Sequence, residues 1–329
     1  MLAKKISRGF ANPFPQNCFA KPSPHLYSRF RPFPFGKALC FAQRRLSATD
    51  ARLVLVRIVL EKSSDFVQET QPVQKFSIKN RYGLEIVGDV IIAEKSIGLA
   101  FVLHGLGGYR TQPGMQMIAQ TFFENSYSVV NFDATNSTGD SGGGYEHATM
   151  QAHYEDLVDV IDWSKKQDWY MEPFVLAGHS LGGYAVARYA EDHPEVVQAV
   201  FPFALVVNGE LSWKANEHSG ELQKWKESGW RVSESKSRPG VIKRLPWSHM
   251  EERLKHDLLP HADQLTMPTL FLMGENDSSC PPDHEKILYD LVPGPKEFHV
   301  VAGAPHTFRT PEHLEQLKSI LSNWIKKLS

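Results

Sequence analysis

The sequence predicts an α/β protein: a mostly parallel sheet with helices on both faces. Three observations point there. Short apolar runs, each followed by a helical stretch, recur along most of the chain. One of these runs ends in a glycine-serine-glycine turn directly before a helix. The 329 residues are 42% hydrophobic and 22% charged, which supports a sizeable core and excludes a wholly disordered or fibrous chain.

The pattern becomes regular from residue 73. Residues 73–79 and 84–93 alternate apolar and polar around Asn80-Arg81-Tyr82-Gly83, the signature of a β-hairpin. Apolar runs at 97–103, 128–132 and 174–177 then precede helical stretches at 114–125, 148–166 and 181–192. The run at 197–207 leads into a long polar segment. Runs at 269–273 and 297–301 precede helices at 283–291 and 312–327. Strands buried on both faces need such runs, and repeated strand–helix units wind right-handedly into a parallel sheet. The domain organisation expected is a leader over residues 1–60 and one α/β domain over 73–328.

The segment 208–264 breaks the rhythm. It holds four of the seven tryptophans, Trp213, Trp225, Trp230 and Trp247. Its helical pieces are short, and residues 233–240 read as a loop. It reads as a cap inserted before the strand at 269–273, covering the sheet's C-terminal edge. A small satellite core is the compatible alternative. The tryptophans suggest an apolar or aromatic acyl or alcohol group on the substrate.

The net charge of −1 gives no global reason to expect binding to nucleic acid. It hides an asymmetry: nine of the 36 basic residues fall in positions 1–49, which contain no acid, leaving 27 against all 37 acids in the remainder. A basic, acid-free, Phe- and Pro-rich leader fits an organelle transit peptide, and so a mitochondrial address. A disordered tail or an over-extended gene start fits as well. The cysteines, Cys18, Cys40 and Cys280, have no CxxC spacing, which argues against a disulfide framework and a zinc site. No apolar run is long enough to span a membrane, and no cofactor or metal is expected.

The chemistry concentrates at Gly178-His179-Ser180-Leu181-Gly182, a G-x-S-x-G string between an apolar run and an amphipathic helix. A serine on a sharp strand-to-helix turn is lifted above the sheet, and the residues two before and two after it must be small. Ser180 is therefore the candidate nucleophile. A serine hydroxyl needs a base steadied by a third group. Asp277 follows the run at 269–273, where a buried acid would meet an imidazole, with Glu275 as its competitor. His306 follows the run at 297–301 on the same sheet edge, while His299 lies within that run. Two N–H donors should face the developing oxyanion. Leu181, next to the serine, supplies one; Leu106, in the glycine-rich His104-Gly105-Leu106-Gly107-Gly108 loop, is the choice for the other. His104 is expected to orient that loop. A decoy, Gly139-Asp140-Ser141-Gly142-Gly143, matches the nucleophile string of trypsin-like proteases but lies between a predicted parallel strand and a helix, so Ser141 is read as part of a pocket-flanking loop.

Together, HGLGG at 104–108, GHSLGG at 178–183, GENDSSCP at 274–281 and GAPHTF at 303–308 resemble the α/β-hydrolase superfamily over residues 73–328. The resembling branch holds serine aminopeptidase-like hydrolases, monoacylglycerol lipases and cinnamoyl or feruloyl esterases. The resemblance implies the α/β-hydrolase fold, a Ser180–His306–Asp277 triad and an oxyanion hole at Leu106 and Leu181. One departure stands out. Relatives carry a D-x-x-G-H-G-x-S-like string, and here Asn136-Ser137-Thr138 replaces its centre.

The expected activity is cofactor-free hydrolysis of a small-molecule carboxylic ester through an acyl-enzyme. A peptidase or amidase is the first rival, with Glu210, Glu217 and Glu221 available to hold a charged N-terminus. Thioesterase and acyltransferase chemistry use the same constellation. A silent hydrolase fold serving as a binding module would typically have lost one of the three residues.

Overall fold

The computed structural model of the chain describes residues 73–217 and 220–328. The basic leader lies outside the described residues. Among these, the main sheet has eight strands: β1 (Gln74–Lys79), β2 (Glu85–Ile91), β3 (Gly98–Leu103), β4 (Tyr127–Asp133), β5 (Phe174–His179), β6 (Val197–Phe203), β9 (Thr269–Gly274) and β10 (Lys296–Val301). Their order is β1-β2-β4-β3-β5-β6-β9-β10. β1 and β2 pair antiparallel, β2 joins β4 antiparallel, and every pairing from β4 to β10 is parallel. Every residue of β3, β4, β5 and β9 is buried, whereas β2 alternates and the edge strand β1 is largely exposed. That gradient is why the central strands read as unbroken apolar runs and the outer hairpin as alternation.

Right-handed crossovers fix the layers. The chain steps from β3 to β4 through α1 (Pro113–Glu124), then reverses past β3 to β5 through α2 (Met150–Ser164), and continues to β6 through α3 (Leu181–Asp192). A reversal of stepping direction puts α1 on one face and α2 and α3 on the other. α1 accordingly packs against the C-terminal α8 (Pro311–Ile325), and α2 packs against α3. The reversal opens a crevice at the C-terminal ends of β3 and β5, the position where open α/β sheets bind ligands. The loop beginning at His104 and the turn carrying Ser180 both leave the sheet there.

Between β6 and β9 come α4 (Gly209–Glu217), α5 (Glu221–Ser228), the antiparallel hairpin β7 (Trp230–Glu234) and β8 (Ile242–Pro246), and α6 (Ser248–Arg253). After β9, α7 (Pro282–Leu291) returns the chain to β10. The loop expected at 233–240 is found at 235–240; only its first two residues differ, extending β7, with Ser233 paired to Lys243 and Glu234 to Ile242. The hairpin's sequence signal was weak because β7 buries no residue and the connecting turn is rich in serine, Pro239 and Gly240. Trp225, Leu222, Leu245 and Met250 form a small core of their own, with Trp213 and Trp247 packed on it. Trp225 donates its indole N–H to the Leu245 carbonyl at 3.0 Å. Trp230 is largely exposed, with the Arg244 guanidinium 4.9 Å over its ring.

Candidate active site

Ser180 sits at φ 56°, ψ −112°, a left-handed conformation that strains any residue with a side chain. The turn closes only because its neighbours lack side chains. A Cβ on Gly178 would lie 2.3 Å from the Gly182 carbonyl oxygen, and one on Gly182 would lie 2.3 Å from the Leu103 carbonyl oxygen. The Ser180 N–H donates to the Phe203 carbonyl at 2.9 Å, tying the turn to the end of β6.

The loops after β9 and β10 are pressed together. A Cβ on Gly274 would meet the Ala304 carbonyl at 2.2 Å, and the Asn276 N–H donates to that same carbonyl at 2.9 Å. This contact carries Asp277 to His306. His306 Nδ1 donates to Asp277 Oδ2 at 2.7 Å, and Ser180 Oγ donates to His306 Nε2 at 2.9 Å. The other Asp277 oxygen accepts the N–H groups of Ser279 and Cys280, both at 2.8 Å. Asp277 is thus buried with both oxygens satisfied and aimed. Glu275 does not reach His306; its carboxylate accepts the Gly303 N–H at 2.8 Å in an exposed loop. His299 pairs with Glu297 at 3.0 Å in β10.

Leu106 lines the cavity in front of Ser180, and no acceptor among the described residues takes its N–H. Leu181 opens α3, so its N–H has no intrahelical acceptor. His104 bridges two strand ends: Nδ1 donates to the Gly105 carbonyl at 2.8 Å and Nε2 accepts the Ala134 N–H at 3.0 Å. Burial lowers its pKa, so it holds the loop as a neutral ring. The departure from the D-x-x-G-H-G-x-S pattern is filled by Thr138, whose hydroxyl donates to the Gly107 carbonyl at 2.9 Å. The decoy Ser141 spends its hydroxyl on the Asp133 carbonyl at 2.6 Å and accepts the Val87 N–H at 2.9 Å.

Two nearby groups had not been assigned roles from the sequence. His179 donates Nε2–H to the His306 backbone carbonyl at 2.9 Å. Burial, helped by the neighbouring His306, pushes its pKa down to about 3, so it too is neutral. The only signal was its position: a polar residue at the buried end of a strand, next to the serine. Cys280 packs its thiol against the Ser180 hydroxyl, and burial pushes that thiol well above its usual range, so it is no thiolate competitor.

The cavity over Ser180 and His306 measures about 440 Å³. Its floor is the 105–108 loop and its far wall is the β7–β8 hairpin, through Ser233, Glu234, Ser237 and Lys243. Among the described residues no tryptophan lines it; Trp213, Trp225 and Trp247 pack on one another in the satellite core that the sequence left open as an alternative. Glu210, Glu217 and Glu221 do not line it either. The described residues contain no group of three or more metal-ligating side chains, and no helix among them is long and apolar enough to cross a membrane.

Comparison with known proteins agrees with this architecture. The chain is 26% identical over 262 residues to an uncharacterized 31.7 kDa protein of the traX–finO intergenic region of Escherichia coli, covering 70% of this chain and 90% of that one. It is 25% identical over 230 residues to the mitochondrial palmitoyl-protein thioesterase ABHD10 of Homo sapiens, covering 69% and 72%. Among solved structures, ferulic-acid-bound Est1E from Butyrivibrio proteoclasticus superimposes with a TM-score of 0.65 at 18% identity, over 77% of this chain and 98% of that one. Residues 116–329 match the prolyl oligopeptidase family, and with that match the chain belongs to this family, within the α/β-hydrolase superfamily.

Proposed function

We propose that the protein is a serine hydrolase that cleaves carboxylic esters, thioesters included, through an acyl-enzyme. The observation that carries this reading is the continuous relay from Ser180 Oγ to His306 Nε2 at 2.9 Å and from His306 Nδ1 to Asp277 Oδ2 at 2.7 Å. In this reading Ser180 attacks the carbonyl carbon as its proton passes to His306 Nε2. Asp277 holds the ring in the tautomer that accepts there and stabilises the imidazolium that forms. The N–H groups of Leu106 and Leu181 receive the oxyanion, each contributing roughly 3 kcal/mol to the transition state. His306 then returns the proton to the departing alkoxide or thiolate. Water, deprotonated by His306, releases the acid from Ser180.

In the same reading the segment 208–264 is a cap, since its hairpin forms one wall of the cavity. The peptidase rival has little support in the cavity. A charged N-terminus needs acid, and the lining offers Glu234 against Lys236, Lys243 and Arg309. The thioester reading draws on the relative named a palmitoyl-protein thioesterase. The test is a panel of p-nitrophenyl esters, acyl thioesters and aminoacyl p-nitroanilides with purified full-length protein. Ester or thioester turnover abolished by Ser180→Ala is expected. Turnover of the anilides alone would overturn the ester assignment.

The leader fits a mitochondrial address, in line with the same relative's name. Residues 1–49 fused to a fluorescent protein should then direct it to mitochondria, and a diffuse cytosolic signal would contradict this.

A further inference from the structure

Among the described residues the three cations on the cavity wall lack counter-ions. Lys236, Lys243 and Arg309 line the cavity that holds Ser180 and His306, and Glu234 is the one carboxylate among the lining residues. Glu234 already accepts the Gly240 N–H at 2.7 Å. Among the described residues no carboxylate lies within ion-pair distance of Lys236, Lys243 or Arg309. Lys165, Lys224, Lys318 and Lys327 each sit 2.8–3.0 Å from a carboxylate, and other surface lysines such as Lys75 and Lys166 have no such partner among the described residues; what distinguishes Lys236, Lys243 and Arg309 is that they share one cavity with Ser180 and His306. Acids outnumber bases in the chain after residue 49, 37 to 27, yet the charged lining of this cavity is three cations to one carboxylate.

Lys243 is the best placed of the three. Its stem crosses the 105–108 loop, with Cδ 3.2 Å from where a Cβ on Gly107 would lie, and its ammonium rests 5.7 Å over the Tyr145 ring. It is half-buried, and burial together with Arg231, Arg309 and Lys236 lowers its pKa. Lys236 and Arg309 are exposed, and their charges beside the half-buried Lys243 ammonium are unfavourable for it unless an anion arrives to offset them.

Building on the ester-hydrolase reading, we propose that Lys236, Lys243 and Arg309 form an anion subsite that selects esters or thioesters carrying a carboxylate or phosphate group. The anion sits in the same 440 Å³ cavity as the scissile carbonyl, so it belongs to a compact substrate. Charge-assisted contacts there orient the carbonyl against Ser180, and the neutral form of the same ester forfeits them.

The test compares three acetyl esters of one aryl frame with the full chain: methyl 4-acetoxybenzoate, 4-acetoxybenzoate and 4-acetoxyphenyl phosphate. An acyl-side pair, p-nitrophenyl hexanoate and p-nitrophenyl hydrogen adipate, covers the other half of the substrate. The expected result is about a tenfold higher kcat/KM for an anionic member over its neutral partner, shrinking between about 20 mM and about 0.5 M salt. Comparison of the benzoate with the phosphate tells which anion is preferred. The ratio should fall towards one in the K243Q/R309Q double variant and persist in K243R. An anionic-to-neutral ratio of one, or a ratio that survives the double variant, overturns the subsite. Calorimetric titration of S180A with the same compounds separates this from failure of the ester reading. If the wild-type protein hydrolyses none of them while S180A binds an anionic member in a salt- and Lys243-dependent way, the subsite stands and the hydrolase reading falls. Absence of such binding overturns the subsite as well.

Discussion

His179 donates its ring N–H to the backbone carbonyl of His306 at 2.9 Å, so the residue beside the proposed nucleophile clamps the loop that carries the proposed base. The strained turn at Ser180 and the loop after β10 are thereby one mechanical unit. Because His179 is held neutral, with its pKa near 3, the clamp does not release across the ordinary pH range. His179→Ala should lower kcat about tenfold with little change in KM, while His179→Gln, which keeps an N–H donor, recovers most of the loss. Equal effects of the two substitutions in steady-state assays would refute the clamp.

Asp277 and Glu275 lie in the same loop, and the geometry separates them. Asp277→Asn should cut kcat by about 10³-fold or more, because the ring loses the partner that fixes its tautomer. Glu275→Gln should leave turnover within about twofold, since its carboxylate accepts the Gly303 N–H in an exposed loop, a contact the amide oxygen keeps. Both effects are read from ester hydrolysis by purified variants, and a reversed order would reassign the acid.

Gly182 packs against backbone that cannot retreat. Gly182→Ala should destabilise the protein by about 3 kcal/mol in urea unfolding, because the new Cβ would sit 2.3 Å from the Leu103 carbonyl oxygen. Gly114→Ala on α1, whose nearest contact would be the Phe308 carbonyl oxygen at 3.8 Å, is the control and should be neutral or mildly stabilising. Wild-type stability in Gly182→Ala would show that the turn is looser than described.

Glu191 on α3 is buried with one carboxyl oxygen unpartnered, and burial, helped by the adjacent Asp192, pushes its pKa up to about 9. The folded protein therefore holds a proton on Glu191 that the unfolded chain has released above its ordinary carboxylate range. This contribution to stability is whole below about pH 4.5, is lost as pH rises, and is gone above about pH 9. The slope is at most about 1.4 kcal/mol per pH unit. Glu191→Gln should match the wild-type melting temperature near pH 5 and exceed it increasingly up to pH 8. A constant offset across that range would contradict the assignment.

How much of this was legible in the sequence depends on which physics each element obeys. The central strands and α3 follow from burial on both faces and from amphipathic periodicity, so Leu181–Asp192 could be read with its ends. Ser180, Asp277 and His306 could be singled out because each follows a readable strand on one edge of the sheet. The β7–β8 hairpin was not legible: it buries almost nothing on its own and pairs only with itself. Aromatic content alone left open whether the tryptophans serve the substrate or a satellite core, because it does not say which way a ring faces; Trp225 faces Leu245 and Trp247. Lys243 looks like any surface lysine until the hairpin sets it across Gly107.

The central claim is that Ser180 is the activated hydroxyl, and its most direct measurement is covalent labelling of the intact protein with a fluorophosphonate, followed by peptide mapping. The account predicts one adduct, on Ser180, formed at a rate that collapses in Asp277→Asn. Labelling at Ser141 or another serine, or no labelling of folded protein that still hydrolyses esters, would contradict it.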